Sequence, residues 1–313
     1  NDEALMYLSR ALDLTPADAL RERFELLLAR EQVFDVQADR VKQQQDLAVL
    51  EALASQLNDA AAQAEVALRK ARWLEDLGDF GLAFASVEQG LRYAPPGALE
   101  GVALKIMGAG LHHRQGRHRE ALDWCQDALA TEGLPSIHPM RAHAESLTGV
   151  IYTYLGRIDE ALPTLELALA QFIQLEELPG QFDVFANLDL ALFLRAGPGD
   201  WKRSYSHLRQ AQSLAERMGD AEREARISNN LGWLAYCLGD ANQAIEHYVY
   251  SLKVWTASGG RVMSAIVRTN LGAAELANGN NGRALEYLDE ANAELEEAGA
   301  RGQLAETRRY LSL

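Results

Sequence analysis

A group of polar and aromatic residues in the last third of the chain has the spacing of one helix face. Arg226, Asn229, Asn230, Trp233 and Tyr236 follow one another mostly at steps of three residues, so a helix would present them together. Aromatic rings supply contact area, and side-chain amides fix the orientation of a bound molecule. The pattern therefore predicts a binding site for a small molecule or a peptide.

Neighbouring segments carry residues of the same kinds at corresponding positions. Asp189 and Phe193 lie 40 residues before Asn229 and Trp233, and Asn270 lies 40 residues after Asn230. We expect these three residues to join the first five in one groove. The alternative is a structural role, in which the rings only pack against the next helix.

The motifs of common catalytic sites are absent from the sequence. It contains no Gly-x-Ser-x-Gly, no Walker-type glycine loop and no His-Glu-x-x-His. The glycines between Ala196 and Asp200 lack the Lys and the Ser or Thr of a phosphate loop, so they predict a turn. We therefore expect no enzyme activity, no catalytic residue and no cofactor.

His112, His113 and His118 are close enough in sequence to raise the question of a metal site. Their spacing is loose, no cysteine is near, and the arginines between and beside them would repel a cation. We predict a solvated turn and no metal. Arg69 and Arg72 could clamp a carboxylate, but the acidic residues around them favour local pairing.

The composition limits the partners that this segment can have. A formal net charge of −15 repels nucleic-acid phosphates and anionic membrane surfaces, so neither is an expected partner. No apolar run reaches the roughly 18 residues that a membrane span needs, and the first residues do not resemble a signal peptide. Cys125 and Cys237 fall at core-type positions, and two reduced thiols suit a cytoplasmic protein.

A column of mostly small residues recurs at intervals of 38 to 43 residues. Its members are Ala4, Gln43, Ala83, Ala121, Ala161, Ser204, Ala244 and Ala284. A glycine stands five positions before most of them: Gly78, Gly116, Gly156, Gly199, Gly239 and Gly279. Small residues let helices approach closely, and glycine lets the chain reverse at a helix end. The columns predict a repeated helix-turn-helix unit.

The columns and the breakers between them place the helices. We predict seven pairs: 17–36 with 40–56, 60–77 with 80–93, 97–114 with 118–131, 138–155 with 158–173, 180–195 with 201–218, 221–237 with 241–257, and 261–278 with 281–298. Two partial units, 3–14 and 300–311, flank the pairs. Since stacked units share a continuous core, we expect residues 1–313 to form a single repeat domain.

The repeated unit resembles the tetratricopeptide repeat. The residues that carry the resemblance are Leu231-Gly232, Gly239, Ala244, Tyr248 and Ser251, and again Leu271-Gly272, Gly279, Ala284, Leu288 and Ala291. It implies an all-α, right-handed superhelical solenoid of about seven helix-turn-helix pairs with an extra helix at each end, whose first helices line a concave groove.

Two features depart from the family pattern. The period is near 40 residues, whereas the usual repeat has about 34. The unit of Gln43 and Leu50 lacks both small residues, so either its register differs or the unit is divergent. HEAT-type repeats share the longer period, but the columns of glycine and alanine favour the tetratricopeptide type.

The long period and the stretch from Leu26 to Leu57 resemble the sensor arms of bacterial signal-transduction ATPases with numerous domains (STAND), the group that includes the maltose-regulon activator. This resemblance implies a non-enzymatic sensor or interaction module of a larger regulator, binding a protein, a peptide or a small-molecule effector in its groove. The alternative is a protein scaffold without a small ligand. Because the array is cut at both ends, we expect a longer protein and possible self-association through exposed apolar faces.

Overall fold

The computed structural model describes residues 2–298 and 300–312, and these residues form sixteen α-helices and no strand. The all-α prediction is therefore confirmed. Each predicted helix is present, and no limit differs from its predicted position by more than three residues. Positions 1 and 313, the outermost of the predicted domain, lie outside the described residues. The helices belong to two compact units, one ending at Arg157 and one beginning at Ile158.

The first unit is built from antiparallel helix pairs with one further helix at each end. Its helices are α1 (Asp2–Leu14), α2 (Leu20–Val36), α3 (Arg40–Leu57), α4 (Ala60–Asp76), α5 (Phe80–Tyr93), α6 (Leu99–Arg114), α7 (His118–Leu129) and α8 (Pro139–Tyr154). Helix α2 packs against α3, α4 against α5, and α6 against α7. Helix α1 packs on α2, and α8 packs on α6 and α7.

The second unit repeats this architecture. Its helices are α9 (Ile158–Gln174), α10 (Leu178–Arg195), α11 (Asp200–Met218), α12 (Ala221–Cys237), α13 (Ala241–Ser258), α14 (Arg261–Ala277), α15 (Asn281–Glu297) and α16 (Arg301–Leu311). The pairs are α10 with α11, α12 with α13, and α14 with α15, while α16 packs on both α14 and α15. The first helices of successive pairs, α12 and α14, also contact each other, as do α14 and α16. A layer of first helices results, and this layer positions the residues considered below.

The turn within a pair depends on a glycine followed by a capping residue. Gly239 has a φ of +86°, which suits glycine because it has no Cβ to clash with the carbonyl oxygen that follows. The carboxylate of Asp240 then accepts a hydrogen bond of 3.0 Å from the backbone amide of Gln243 and caps α13. The other predicted turn glycines also have positive φ: Gly78, Gly116, Gly156, Gly199 and Gly279.

The two helices of a pair approach closely where the small residues were predicted. A Cβ atom at Gly232 would lie 2.7 Å from the ring of Tyr248, and one at Gly272 would lie 2.5 Å from Leu288. Ala244 is fully buried. The predicted contact of first and second helices through small residues is therefore confirmed in α12–α13 and α14–α15.

Two members of the small-residue column differ from the rest. Ala4 is exposed, because α1 has no first helix of its own to pack against. Gln43 is buried in the expected register, and its amide donates to Glu31 at 2.8 Å and to Asp35 at 3.2 Å. The second pair is thus a divergent unit in the correct register, with a polar contact replacing the alanine.

Two sequence-based expectations about reactive side chains are wrong. Cys237 is exposed, although Cys125 is fully buried as expected, and both thiols are free. Burial raises the pKa of the Cys125 thiol to about 12. His112 is also buried rather than solvated, with its ring 4.8 Å from that of Phe84. Its position on α6 points it into the aromatic contact with α5 and away from the turn.

Candidate ligand-binding cavity

The layer of first helices in the second unit encloses a cavity of about 580 Å³. Helices α10, α12 and α14 contribute most of its lining, and α16 contributes Glu306. Seven of the eight residues predicted from the sequence line it: Asp189, Phe193, Arg226, Asn229, Asn230, Trp233 and Asn270. These side chains come from three different helices, so the repeat spacing of 40 residues has brought them to one place.

Tyr236 is the predicted residue that does not line the cavity. Its ring stacks on that of Trp233 with centroids 5.6 Å apart and planes at 28°. Its hydroxyl shares a hydrogen bond with Tyr310, a buried residue of α16. Tyr236 therefore supports Trp233 from behind and ties α12 to the last helix.

The sequence prediction missed other residues of the lining. Asp183, Asn187 and Leu190 lie on α10, and Glu306 lies on α16. The three residues of α10 precede Phe193 at steps of three or four, so extending that face towards the N-terminus would have found them. Glu306 carried no such signal, because α16 has no second helix to complete a repeat.

Aromatic rings form one wall of the cavity. The ring of Phe193 lies 6.2 Å from that of Trp233, and on its other side 5.9 Å from that of Trp201. Together with the stacked Tyr236, these contacts hold Trp233 in a fixed position. A rigid aromatic wall offers apolar contact area at a low cost in conformational entropy.

Four asparagines supply the amide groups of the cavity. Asn270 donates a hydrogen bond of 2.9 Å to the side-chain oxygen of Asn229, which links α14 to α12. Among the described residues, the amides of Asn187 and Asn230 have no hydrogen-bond partner. Each of these two amides can both donate to and accept from a bound molecule.

Arg226 is the one basic residue among the described lining residues, and it is already paired. Its Nη2 donates to Asp183 at 2.7 Å, and its guanidinium lies 4.6 Å from the ring centroid of Phe182. Both partners of the ion pair are nearly half exposed, so the pair adds little to stability. Its Nε is buried and has no partner among the described residues. The contacts orient Arg226 along one edge of the cavity.

Asp189 has the most perturbed carboxyl group of the cavity. Burial raises its pKa to about 6, while a hydrogen bond donated by the Ser204 hydroxyl limits that rise. No described lysine, arginine or histidine forms an ion pair with it. A partly desolvated carboxylate without a cation is an unfavourable arrangement in the empty cavity.

The other chemistry considered from the sequence is structural. Within the described part of the chain, no three His, Cys, Asp or Glu residues are grouped as metal ligands. Asp200 accepts hydrogen bonds from the Gly197 amide at 2.7 Å and from Arg195 at 2.9 Å, so that segment is a turn as predicted. Arg69 pairs locally with Glu65 and also with Glu31 of α2.

Solved structures resemble this chain over most of its length. A Rap protein complexed with competence and sporulation factor has a TM-score of 0.70 at 13% identity, covering 94% of this chain and 81% of that one. The fold is that of tetratricopeptide repeat proteins. A STAND protein with a tetratricopeptide repeat sensor, from Pyrococcus horikoshii, has a TM-score of 0.68 at 14% identity, covering 92% of this chain and 42% of that one.

A third structure, BtubC from P. vanneervenii, has 21% identity and a TM-score of 0.52, covering 78% of this chain and 92% of that one. No family model matches the sequence, and no curated protein matches it. The tetratricopeptide fold is therefore shown by three-dimensional likeness. Among the described residues, no helix is both long enough and apolar enough to cross a membrane.

Proposed function

We propose that this chain is a non-enzymatic binding module of a larger signal-transduction regulator, and that its second unit binds a peptide segment in the cavity of the first helices. The observation that carries the proposal is the meeting of four asparagine amides with the aromatic wall of Phe193 and Trp233. A cytoplasmic location fits a module with two free thiols.

The lining suits a peptide better than a compact apolar ligand. Peptide backbones present alternating N–H and C=O groups, and an asparagine side chain can pair with both. Asn187 and Asn230 are free to do so, while the rings accept an apolar or aromatic side chain. The cavity also has charged residues at its edges, which fits an open site for a chain segment.

The solved neighbours support this proposal by analogy. One of them is described as complexed with competence and sporulation factor, and another as a STAND protein whose repeats form a sensor. In this chain, a ligand that contacts α10, α12 and α14 together would stabilise one arrangement of these helices. A distant effector domain could read that arrangement as a shift in population.

A protein scaffold without a small-molecule ligand is the second candidate, and the first unit gives the observation that favours it. A cavity of about 600 Å³ between α4 and α5 is lined by Trp73, Leu77 and Leu82. Leu77 is 52% exposed and Leu82 is 57% exposed. Exposed leucines beside a tryptophan are typical of a protein-binding surface.

Selection followed by thermal unfolding tests the proposal. Random heptapeptides displayed on phage would be selected on the immobilised chain, and the selected peptides would be compared with sugars, nucleotides and amino acids for their effect on Tm. A ligand at 100 times its Kd adds about 2.7 kcal/mol to stability. Trp233→Ala and Asn230→Ala should remove the increase in Tm.

Asn242→Ala is the matched control, because Asn242 lies outside the cavity and pairs with Asn278 on the surface. It should keep the full increase in Tm. Circular dichroism would establish that each variant is folded. If no peptide or small molecule raises Tm, or if binding survives both cavity substitutions, the cavity is not the binding site.

A further inference from the structure

We infer that the cavity of the second unit receives a basic side chain, arginine or lysine, of the bound peptide, with Asp189 as its anionic partner and the aromatic wall beside it. This inference rests on the proposed function, since it names the chemistry of the peptide that the same cavity would bind. It adds a requirement on the peptide sequence that the asparagines and rings alone do not impose.

The surroundings of Asp189 provide the first argument. One carboxylate oxygen accepts the hydrogen bond from Ser204, a buried residue of α11, and no described cation pairs with the group. The group lines the cavity, so a bound molecule can reach it. Burial also raises its pKa, which indicates that the empty cavity solvates the charge poorly. A guanidinium or ammonium group would supply the missing partner and form a charge-assisted hydrogen bond.

The charge balance of the lining provides the second argument. Asp183, Asp189 and Glu306 carry three carboxylates, and Arg226 is the only described lining residue that is basic, so the surplus is two negative charges. Arg226 is held by Asp183 on the edge of the cavity. The uncompensated charge is therefore that of Asp189 and Glu306, which lie on α10 and α16. A cavity with one sign of charge attracts the opposite sign in its ligand.

The aromatic wall provides the third argument. Phe193 is four residues from Asp189 on α10, so both side chains lie on one helix face and both line the cavity. Trp233 lies beside Phe193. A cation near the faces of these rings gains a cation–π interaction, and the alkyl stem of arginine or lysine gains apolar contact. The cavity thus matches both parts of a basic side chain.

The test uses the selected heptapeptides and isosteric changes on both sides. Selection would be run at pH 7.5 on the parent chain, on Asp189→Asn and on Asp289→Asn, whose acid is exposed on α15 and outside the cavity. The parent and Asp289→Asn should enrich arginine or lysine at one position, and Asp189→Asn should not. A synthetic pair, with arginine or its neutral isostere citrulline at that position, would then be titrated by calorimetry.

We expect citrulline to weaken binding to the parent about 10- to 100-fold, the range for losing one charge-assisted hydrogen bond. On Asp189→Asn the two peptides should bind with similar Kd. Enriched peptides without a basic position, or an arginine preference that Asp189→Asn leaves intact, would overturn the inference while the peptide-binding function stands. A selection that enriches no peptide on the parent contradicts the proposed function, and the inference with it.

Discussion

Gly232 on α12 lies directly against the buried ring of Tyr248 on α13, so that a Cβ atom at residue 232 would come within 2.7 Å of Cε1. Tyr248 is fully buried and cannot move its ring into solvent. The contact sets the distance between the two helices of this pair. Since α12 also carries Arg226, Asn230 and Trp233, the same contact helps to position the cavity lining.

We predict that Gly232→Ala destabilises the second unit. Overpacking a core costs about 1–3 kcal/mol, whereas the better helix propensity of alanine returns at most about 1 kcal/mol. Urea unfolding measures the net loss. Gly282→Ala is the matched control in the same unit, because a Cβ atom there meets nothing within 4 Å. Equal stability of the two variants would show that the helices can separate without cost.

We predict that Tyr248→Phe stabilises the protein by about 1 kcal/mol, because a buried hydroxyl without a partner costs roughly 1–3 kcal/mol. The Tyr248 oxygen is buried and has no hydrogen-bond partner among the described residues, and burial raises the pKa of its hydroxyl. Tyr250→Phe is the control, since the Tyr250 hydroxyl is exposed and donates to Glu224 at 2.7 Å. It should be neutral or slightly destabilising in the same urea titration, and the reverse order would contradict the prediction.

The sequence predicted the repeat geometry well because that geometry depends on local chemistry. Gly239 is needed for a positive φ, and Ala244 is needed where two backbones approach. Both requirements recur in every copy of the unit, so the period of 40 residues makes them visible. The division at Arg157 and Ile158 has no comparable signal, since the columns continue through it.

The cavity was predictable only in part. Helical spacing identified the face of Arg226, Asn230 and Trp233, but one helix face is wide enough to include Tyr236, which packs behind the wall. Glu306 reaches the cavity only because α16 packs on α14, a contact between segments far apart in sequence. Such contacts follow from tertiary packing and leave no periodic trace.

We predict that Asp189 makes stability depend on pH. Its pKa is about 6 in the folded chain and about 4 in an unfolded one, so the folded state binds more protons between these values. Stability therefore falls as pH rises from about 4 to about 6, and the loss persists above that range. Replacing the carboxyl removes the effect, so Asp189→Asn should gain about 1–3 kcal/mol relative to the parent at pH 7.5 and little at pH 4.

Urea unfolding of both proteins at several pH values measures this difference. Asp289→Asn, with its exposed position outside the cavity, should follow the parent at every pH. A difference between Asp189→Asn and the parent that is the same at pH 4 and pH 7.5 would mean that the Asp189 carboxyl titrates normally.

The last prediction concerns the one large residue in the column of small ones. Gln43→Ala would restore the residue that the repeat pattern favours, yet we expect it to destabilise the first unit. Gln43 donates to Glu31 at 2.8 Å, and Glu31 is only 3% exposed. Without that amide, a buried carboxylate oxygen loses a donor, which costs about 1–3 kcal/mol.

Gln44→Ala is the matched control, because Gln44 is the exposed neighbour on the same helix and should change stability by less than about 0.5 kcal/mol. The two variants would be compared by urea unfolding at neutral pH. If Gln43→Ala is instead the more stable protein, the alanine preference of the repeat outweighs the buried contact, and Glu31 is sufficiently held by Arg69, whose Nη1 lies 2.5 Å from its carboxylate. The measured sign therefore decides whether the polar contact or the repeat pattern dominates in this unit.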